Sequence, residues 1–174
     1  IEYREPGFQT LVRSIVYQQL SGKAASTIFS RLAAKAGDPL TPEAVLRLRP
    51  ATMRALGLSQ QKTKYIRDLA ARTRKGEIDF ARLAALADEE IVGHLTQVHG
   101  VGVWTVHMFL IFALRRPNVL PTGDLGVRAA IKKAYGLPEL PTPAEMETIA
   151  QGWHPFCSVA SWYLWRSLEN QGAM

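Results

Sequence analysis

The sequence contains a single cysteine, Cys157. A single thiol cannot form a disulfide within the chain, and it cannot supply an all-cysteine zinc or iron–sulfur site. Disulfide-stabilised folds and proteins with such metal sites are therefore excluded. A chain without disulfides is typical of a reducing compartment, and we expect an intracellular protein. The four histidines are not spaced as metal ligands with Cys157 or with an acidic cluster, which argues against a zinc enzyme.

Long apolar runs are scarce as well. The longest, residues 101–114, contains Thr105 and His107. It is shorter than the roughly 20 apolar residues that a membrane helix needs, and we expect no membrane association. No stretch alternates apolar and polar residues over a convincing strand length, and no repeat appears.

Acidic residues are outnumbered by basic ones. The chain has 15 Asp and Glu against 21 Lys and Arg, a net charge of +6, while 47% of its 174 residues are hydrophobic. This balance indicates a folded globular protein. The positive excess fits a polyanionic partner such as nucleic acid, although it also fits a basic soluble protein.

Helix signals dominate what is present, and they predict an all-α domain of nine to eleven short helices. An apolar stripe runs from Phe8 to Leu20, and Thr142-Pro143-Ala144-Glu145 has the pattern of a capping box. A basic helix is predicted over residues 60–74. Its outward cations, for solvent or phosphate, are Lys62, Lys64, Arg67, Arg72 and Arg74.

A helical hairpin is predicted over residues 89–114, with Asp88 capping its first helix and Gly100-Val101-Gly102 at its turn. Glycines let another backbone approach closely. The amides at the start of the second helix form a ready anion site. An ordinary helix end and turn is the alternative. The carbonyls expected to converge on a monovalent cation, K⁺ or Na⁺, are those of Thr96, Val98 and Val101.

Asp124 precedes Leu125-Gly126-Val127-Arg128, which reads as the first turn of a helix. The simplest interpretation is an N-cap. A second interpretation does not exclude it, because a carboxylate fixed at such a position can stabilise a developing sugar cation. A lone acid suits a substrate whose leaving group is already activated.

The chain is also rich in tryptophan, with four at positions 104, 153, 162 and 165. Aromatic residues at helical spacing usually pack in the core. An indole that lines a pocket can instead stack on an extruded base, and it attracts a positively charged base through a cation–π contact.

Five blocks in order resemble the helix-hairpin-helix base-excision DNA glycosylases, and most closely their 3-methyladenine DNA glycosylase II (AlkA-like) branch. The blocks are Ile15-Val16-Tyr17-Gln18-Gln19-Leu20-Ser21, Gly57-Leu58-Ser59, Val98-His99-Gly100-Val101-Gly102-Val103-Trp104-Thr105, Pro121-Thr122-Gly123-Asp124-Leu125-Gly126-Val127-Arg128 and Trp153-His154-Pro155. The resemblance covers nearly the whole chain.

The resemblance implies one two-lobed α-helical glycosylase domain over residues 1–174 with a DNA-facing cleft between its lobes. The lobes are expected over residues 1–20 plus 137–174 and over residues 21–136. Asp124 is implied as the catalytic carboxylate. The residues implied to bind the base are Trp104, Met108 and Trp165. Those implied to contact DNA are Gly100, Gly102, Thr105 and the wedge residue Gln19.

The function implied is removal of alkylated bases, 3-methyladenine first and 7-methylguanine second, from duplex DNA by a monomeric enzyme. Bifunctional relatives carry lysine where Trp104 stands, so simple hydrolysis without a lyase step is expected. No cofactor is expected, and the single cysteine excludes the iron–sulfur cluster that some relatives carry. The alternatives are a non-catalytic helix-hairpin-helix DNA-binding module and a glycosylase for deaminated or oxidised bases such as hypoxanthine.

Overall fold

A computed structural model describes residues 1–169 of the chain. This part folds into eleven α-helices and one short 3₁₀ helix, and it contains no strand, so the all-α prediction is confirmed. The α-helices are α1 Phe8–Tyr17, α2 Gly22–Ala36, α3 Pro42–Arg47, α4 Pro50–Ala55, α5 Gln60–Arg74, α6 Phe80–Leu83, α7 Asp88–Leu95, α8 Val103–Phe112, α9 Leu125–Ala134, α10 Pro143–Ala150 and α11 Cys157–Glu169. The 3₁₀ helix is Gln151–Trp153.

The first helix shows how the apolar pattern sets the fold. The buried side chains of α1 are Phe8, Leu11, Val12, Ile15 and Val16. Full burial of each large one stabilises the fold by about 1.5–3 kcal/mol. Leu20 was predicted to continue this stripe, but it is 40% exposed. The helix ends at Tyr17, and Gln19 has a positive φ of 54°, which turns the chain away before Leu20.

Capping side chains fix where several helices begin. The hydroxyl of Thr142 accepts the Glu145 N–H, and the Glu145 carboxylate accepts the Thr142 N–H at 2.7 Å, so the predicted capping box is confirmed. The prediction for α7 was wrong by one residue. Ala87 holds the N-cap position, Asp88 is the first helical residue, and the Ala87 N–H donates to the Glu90 carboxylate at 2.9 Å.

The chain forms two compact units. One contains residues Arg4–Phe109, and the other contains Ile1–Tyr3 and, of the described residues, 110–169. These boundaries differ from the predicted lobes, because residues 4–20 belong with the segment that follows them and residues 110–136 belong with the C-terminal helices. No helix within residues 1–169 has the length and apolar character needed to cross a membrane.

In the second unit, helix α9 packs against α11. Val127, Ile131 and Met146 form a fully buried cluster there, against which Trp153 and Trp165 pack. The start of α9 is therefore held by the core beneath it, which is the feature that positions the carboxylate of Asp124.

Candidate functional site

Asp124 lies at the N-cap position of α9, as predicted. Its Oδ1 accepts the Val127 N–H at 2.8 Å and the indole N–H of Trp165 at 2.8 Å. The side chain is 8% exposed. Hydrogen bonds that are donated to a carboxylate fix its direction. The arrangement therefore holds an oriented, largely buried carboxylate at the start of α9.

Glycine at position 126 leaves room for this pair. A Cβ added to Gly126 would lie 3.1 Å from Asp124 Oδ1 and 3.1 Å from Trp165 Cδ1. Any side chain there would press on both partners of the hydrogen bond. The sequence pattern indicated only that a helix begins here, and nothing in it showed that Gly126 faces the indole of Trp165.

The hairpin turn connects α7 to α8, and the structure places a positive φ of 80° at Gly100. A Cβ at Gly100 would lie 2.1 Å from the ring of Tyr65, so the turn approaches α5 as closely as only glycine allows. Gly102 differs, since a Cβ there would meet no atom within 4 Å. The two glycines therefore serve different purposes, close packing at Gly100 and an uncovered backbone at Gly102.

Gln18 and Asp68 also bind this turn. Gln18 Nε2 donates to the Gly100 carbonyl at 2.9 Å. Asp68 Oδ2 accepts the His99 N–H at 2.9 Å and lies 2.9 Å from His99 Nδ1. Burial raises the pKa of Asp68, but the hydrogen bonds from His99 and the contacts with Arg72 lower it by more, so this pKa lies below its usual value.

The residues predicted to contact DNA have different environments. Gln19 is exposed and adopts a left-handed backbone conformation, which is uncommon for a residue other than glycine. Thr105 is only 4% exposed, and its hydroxyl lies 3.4 Å from Gln18 Nε2. The hydroxyl of Thr105 therefore faces the protein, and its contact with phosphate stays a prediction.

Among the predicted base-binding residues, Trp104 is 44% exposed at the start of α8. Met108 lies one helical turn later and is half-buried. Trp165 is also half-buried, and its ring centroid lies 5.7 Å from that of Phe112. Its hydrogen bond to Asp124 is a role that the sequence did not reveal. Base contacts by these three residues stay predictions.

The predicted cation site lies in the turn before α8. Of the three carbonyls proposed as ligands, that of Val98 accepts the Val101 N–H at 3.1 Å, which leaves it one lone pair for an ion. Thr96 stands at the C-cap position of α7, where carbonyls lack helical partners. The carbonyls of Thr96, Val98 and Val101 remain the predicted ligands of a monovalent cation.

The prediction for the basic face of α5 requires correction. Lys62 Nζ donates to the carbonyls of Val16 and Gln18, and Arg67 donates to those of Leu46 and Leu48. Arg72 forms ion pairs with Asp68 and Glu77. Three of the five basic side chains therefore bind acceptors within the protein. Helical spacing indicates which side chains leave the core, but not which acceptors another helix brings to them.

The histidines and Cys157 were the remaining polar candidates. Within residues 1–169, no group of three or more His, Cys, Asp or Glu could hold a metal ion. Cys157 is fully buried, and burial raises the pKa of its thiol, so it is a packing residue.

Comparison with known proteins shows the family of the chain. Residues 12–155 match the model of the HhH-GPD superfamily base excision DNA repair proteins. The chain belongs to this superfamily. DNA-3-methyladenine glycosylase 1 of Schizosaccharomyces pombe is 36% identical over 170 residues, which cover 96% of this chain and 74% of that protein. The Bacillus subtilis protein YfjP is 32% identical over 169 residues, covering 93% of this chain and 59% of that protein.

A solved structure supports the same assignment. The 3-methyladenine DNA glycosylase of Schizosaccharomyces pombe, in complex with abasic DNA, has a TM-score of 0.84 and 35% identity, and the match covers 97% of this chain and 83% of that one. The family resemblance that the five sequence blocks suggested is therefore confirmed.

Proposed function

We propose that this protein is a monofunctional DNA glycosylase that hydrolyses the N-glycosidic bond of alkylated bases in duplex DNA, 3-methyladenine first and 7-methylguanine second. The observation that carries the proposal is Asp124, a nearly buried carboxylate oriented by the Val127 N–H and the Trp165 indole. Its family and the name of its Schizosaccharomyces pombe relative support the same reaction.

The reaction begins with cleavage of the bond between the sugar C1′ and the base nitrogen. Alkylation gives the base a positive charge, so the base takes the bonding electrons and leaves neutral without a separate general acid. The sugar becomes an oxocarbenium-like cation, which the Asp124 carboxylate stabilises. Water then adds to C1′, and its proton passes to Asp124 and on to solvent. The products are the free base and an abasic site.

The target base must leave the helical stack before this chemistry, because its glycosidic bond is not accessible within the duplex. A damaged base stacks and pairs weakly, which lowers the cost of extrusion. Gln19, exposed on its left-handed turn, is suited to fill the space that the base leaves. The hairpin contacts the phosphate backbone, which positions the duplex without reading its sequence.

Two features favour alkylated bases and simple hydrolysis. Trp104 exposes 44% of its surface at the start of α8, and an indole face attracts a cationic purine more strongly than a neutral one. The same position carries lysine in bifunctional relatives, and an indole forms no Schiff base with the sugar. The protein therefore releases the base and leaves the DNA strand intact.

Release of free bases from methylated duplex DNA tests the proposal. Asp124→Asn is the matched variant, because its amide oxygen still accepts the hydrogen bonds from Val127 and Trp165 while the charge is lost. The wild type is expected to release 3-methyladenine, and the variant to bind the same DNA with release at least about 100-fold slower.

Two other results would overturn the proposal. A non-catalytic DNA-binding module would bind duplex DNA and release no base in either form. A glycosylase for deaminated or oxidised bases would release hypoxanthine or 8-oxoguanine in parallel reactions and leave methylated purines in place. Denaturing electrophoresis of the product before and after alkali treatment distinguishes an intact abasic strand from a strand cut by a lyase step.

A further inference from the structure

The turn that follows α1 has an uncommon conformation. Gln18, at the C-cap of α1, has an extended backbone with φ −55° and ψ 130°, and Gln19 follows with φ 54°. A left-handed conformation is unfavourable for a residue with a Cβ, so contacts from the surrounding structure must hold it. Those contacts come from α5 and from the hairpin.

Lys62 of α5 holds the end of α1. Its Nζ donates to the Val16 carbonyl at 2.7 Å and to the Gln18 carbonyl at 2.6 Å. Val16 is among the last residues of the helix, whose carbonyls have no helical N–H to accept. An ammonium group at this end also complements the helix dipole. Lys62 therefore caps α1 from a different helix and fixes the carbonyl directly before Gln19.

Gln18 connects the same turn to the hairpin. Its Nε2 donates to the Gly100 carbonyl at 2.9 Å and lies 3.4 Å from the Thr105 hydroxyl. One residue thus contacts both the hairpin turn and the first turn of α8, while its own carbonyl accepts from Lys62.

The hairpin also contacts α5, the helix that carries Lys62. Lys62, Tyr65 and Asp68 are spaced three residues apart and so lie along one side of the helix. Lys62 holds the end of α1, Tyr65 packs beneath Gly100, and Asp68 binds His99. One row of side chains therefore supports the turn that carries Gln19 and the turn of the hairpin together.

We propose that Gln18 and Lys62 are positioning residues that hold Gln19 at a fixed distance from the hairpin, so that the wedge and the phosphate contacts engage one duplex together. This inference rests on the proposed function, in which Gln19 and the hairpin are the DNA contacts. Loss of either hydrogen-bond donor frees the two turns from each other. Neither donor takes part in the hydrogen bonds that Asp124 accepts from Val127 and Trp165.

A double-mutant cycle tests the coupling. Gln18→Met and Lys62→Met remove the donors and keep side-chain length, and each is combined with Gln19→Ala. The readouts are the single-turnover rate of base release from methylated DNA and the fluorescence of 2-aminopurine placed next to the lesion, which reports unstacking. Lys35→Met, an exposed lysine of α2 in the same unit, is the control for loss of one positive charge.

We expect Gln19→Ala to release the base about tenfold more slowly than the wild type, equivalent to about 1.4 kcal/mol. Gln18→Met and Lys62→Met should slow release to a similar degree and reduce the fluorescence change. Adding Gln19→Ala to either variant should then slow release by less than a further twofold, because a misplaced Gln19 already contributes little to the rate. Lys62→Arg, which can still donate to both carbonyls, should recover most of the rate, and Lys35→Met should match the wild type.

Fully additive losses, or a wild-type rate for Gln18→Met, would overturn the inference. The same holds if Gln19→Ala has no effect on either readout. If Lys62→Met does not fold, the uncharged Gln18→Met cycle decides the question alone. If the wild type releases no methylated base, the proposed function fails. The fluorescence cycle on bound DNA then still decides whether Gln18 couples Gln19 to the hairpin.

Discussion

Gly126→Ala should slow base release while the fold survives. The new methyl group would lie 3.1 Å from Asp124 Oδ1, 3.1 Å from Trp165 Cδ1 and 3.3 Å from Trp165 Nε1. Contacts of this length require the neighbours to move by a few tenths of an ångström. The atoms that must move are the donor and the acceptor of the 2.8 Å hydrogen bond that orients the carboxylate.

The magnitude follows from the size of that displacement. A misplacement of about 1 Å can cost on the order of 100-fold in rate, so a few tenths of an ångström should cost about 3- to 10-fold. Alanine gains up to about 1 kcal/mol of helix propensity over glycine, and the crowding costs about 1–3 kcal/mol. The net cost is at most about 2 kcal/mol, so the midpoint of thermal unfolding should fall by at most about 8 °C.

Single-turnover release from methylated DNA, with enzyme in excess, is the assay, and thermal unfolding is measured alongside. Gly93→Ala in α7 is the matched control, since a Cβ there meets no atom within 4 Å. It should keep the wild-type rate and unfold at the same or a slightly higher temperature. A Gly126→Ala rate within twofold of wild type would show that alignment of Asp124 by Trp165 does not limit the reaction.

Three further changes test other parts of the structure. Trp165→Phe keeps a ring but removes the indole N–H that binds Asp124. Release should slow about 10- to 100-fold, the equivalent of one hydrogen bond to a charged group; an unchanged rate would contradict this. Gly100→Ala forces a Cβ into the ring of Tyr65 at a φ of 80°, so it should cost about 2–5 kcal/mol of stability in urea unfolding and weaken DNA binding; a wild-type midpoint would refute it. Asp68→Asn should destabilise the fold at pH 7, because the hydrogen bonds from His99 keep the pKa of Asp68 below its unfolded value. That contribution is present above about pH 4 and is lost as the pH falls through the folded pKa, so the stability gap between wild type and variant should shrink in acid; a gap that widens would be inconsistent with it.

Local sequence signals predicted the start of α9 and of α10, because the hydrogen bonds that cap a helix join residues within four positions of each other. Asp124 binds the N–H three residues later, and Thr142 with Glu145 forms its reciprocal pair in the same way. Such contacts depend only on residues that are neighbours in the sequence. The same reasoning erred by one residue at Asp88, where Glu90 binds the backbone of Ala87 and no capping side chain is needed.

Pairings between distant residues were not predictable from these patterns. The bond from Trp165 to Asp124 spans 41 positions, and that from Gln18 to Gly100 spans 82. Periodicity predicts that Lys62 lies off the apolar face of α5. The acceptors that its ammonium group binds depend on how α1 packs against that helix. Family resemblance predicts the residues of the site, whereas the structure shows which neighbours those residues contact.

The rate of 3-methyladenine release from methylated duplex DNA by wild type and Asp124→Asn, at saturating enzyme, tests the central claim most directly. We predict measurable release by the wild type and a rate at least about 100-fold lower for the variant, with equal binding to the duplex. Equal rates for the two proteins would contradict the assignment of Asp124 as the catalytic carboxylate.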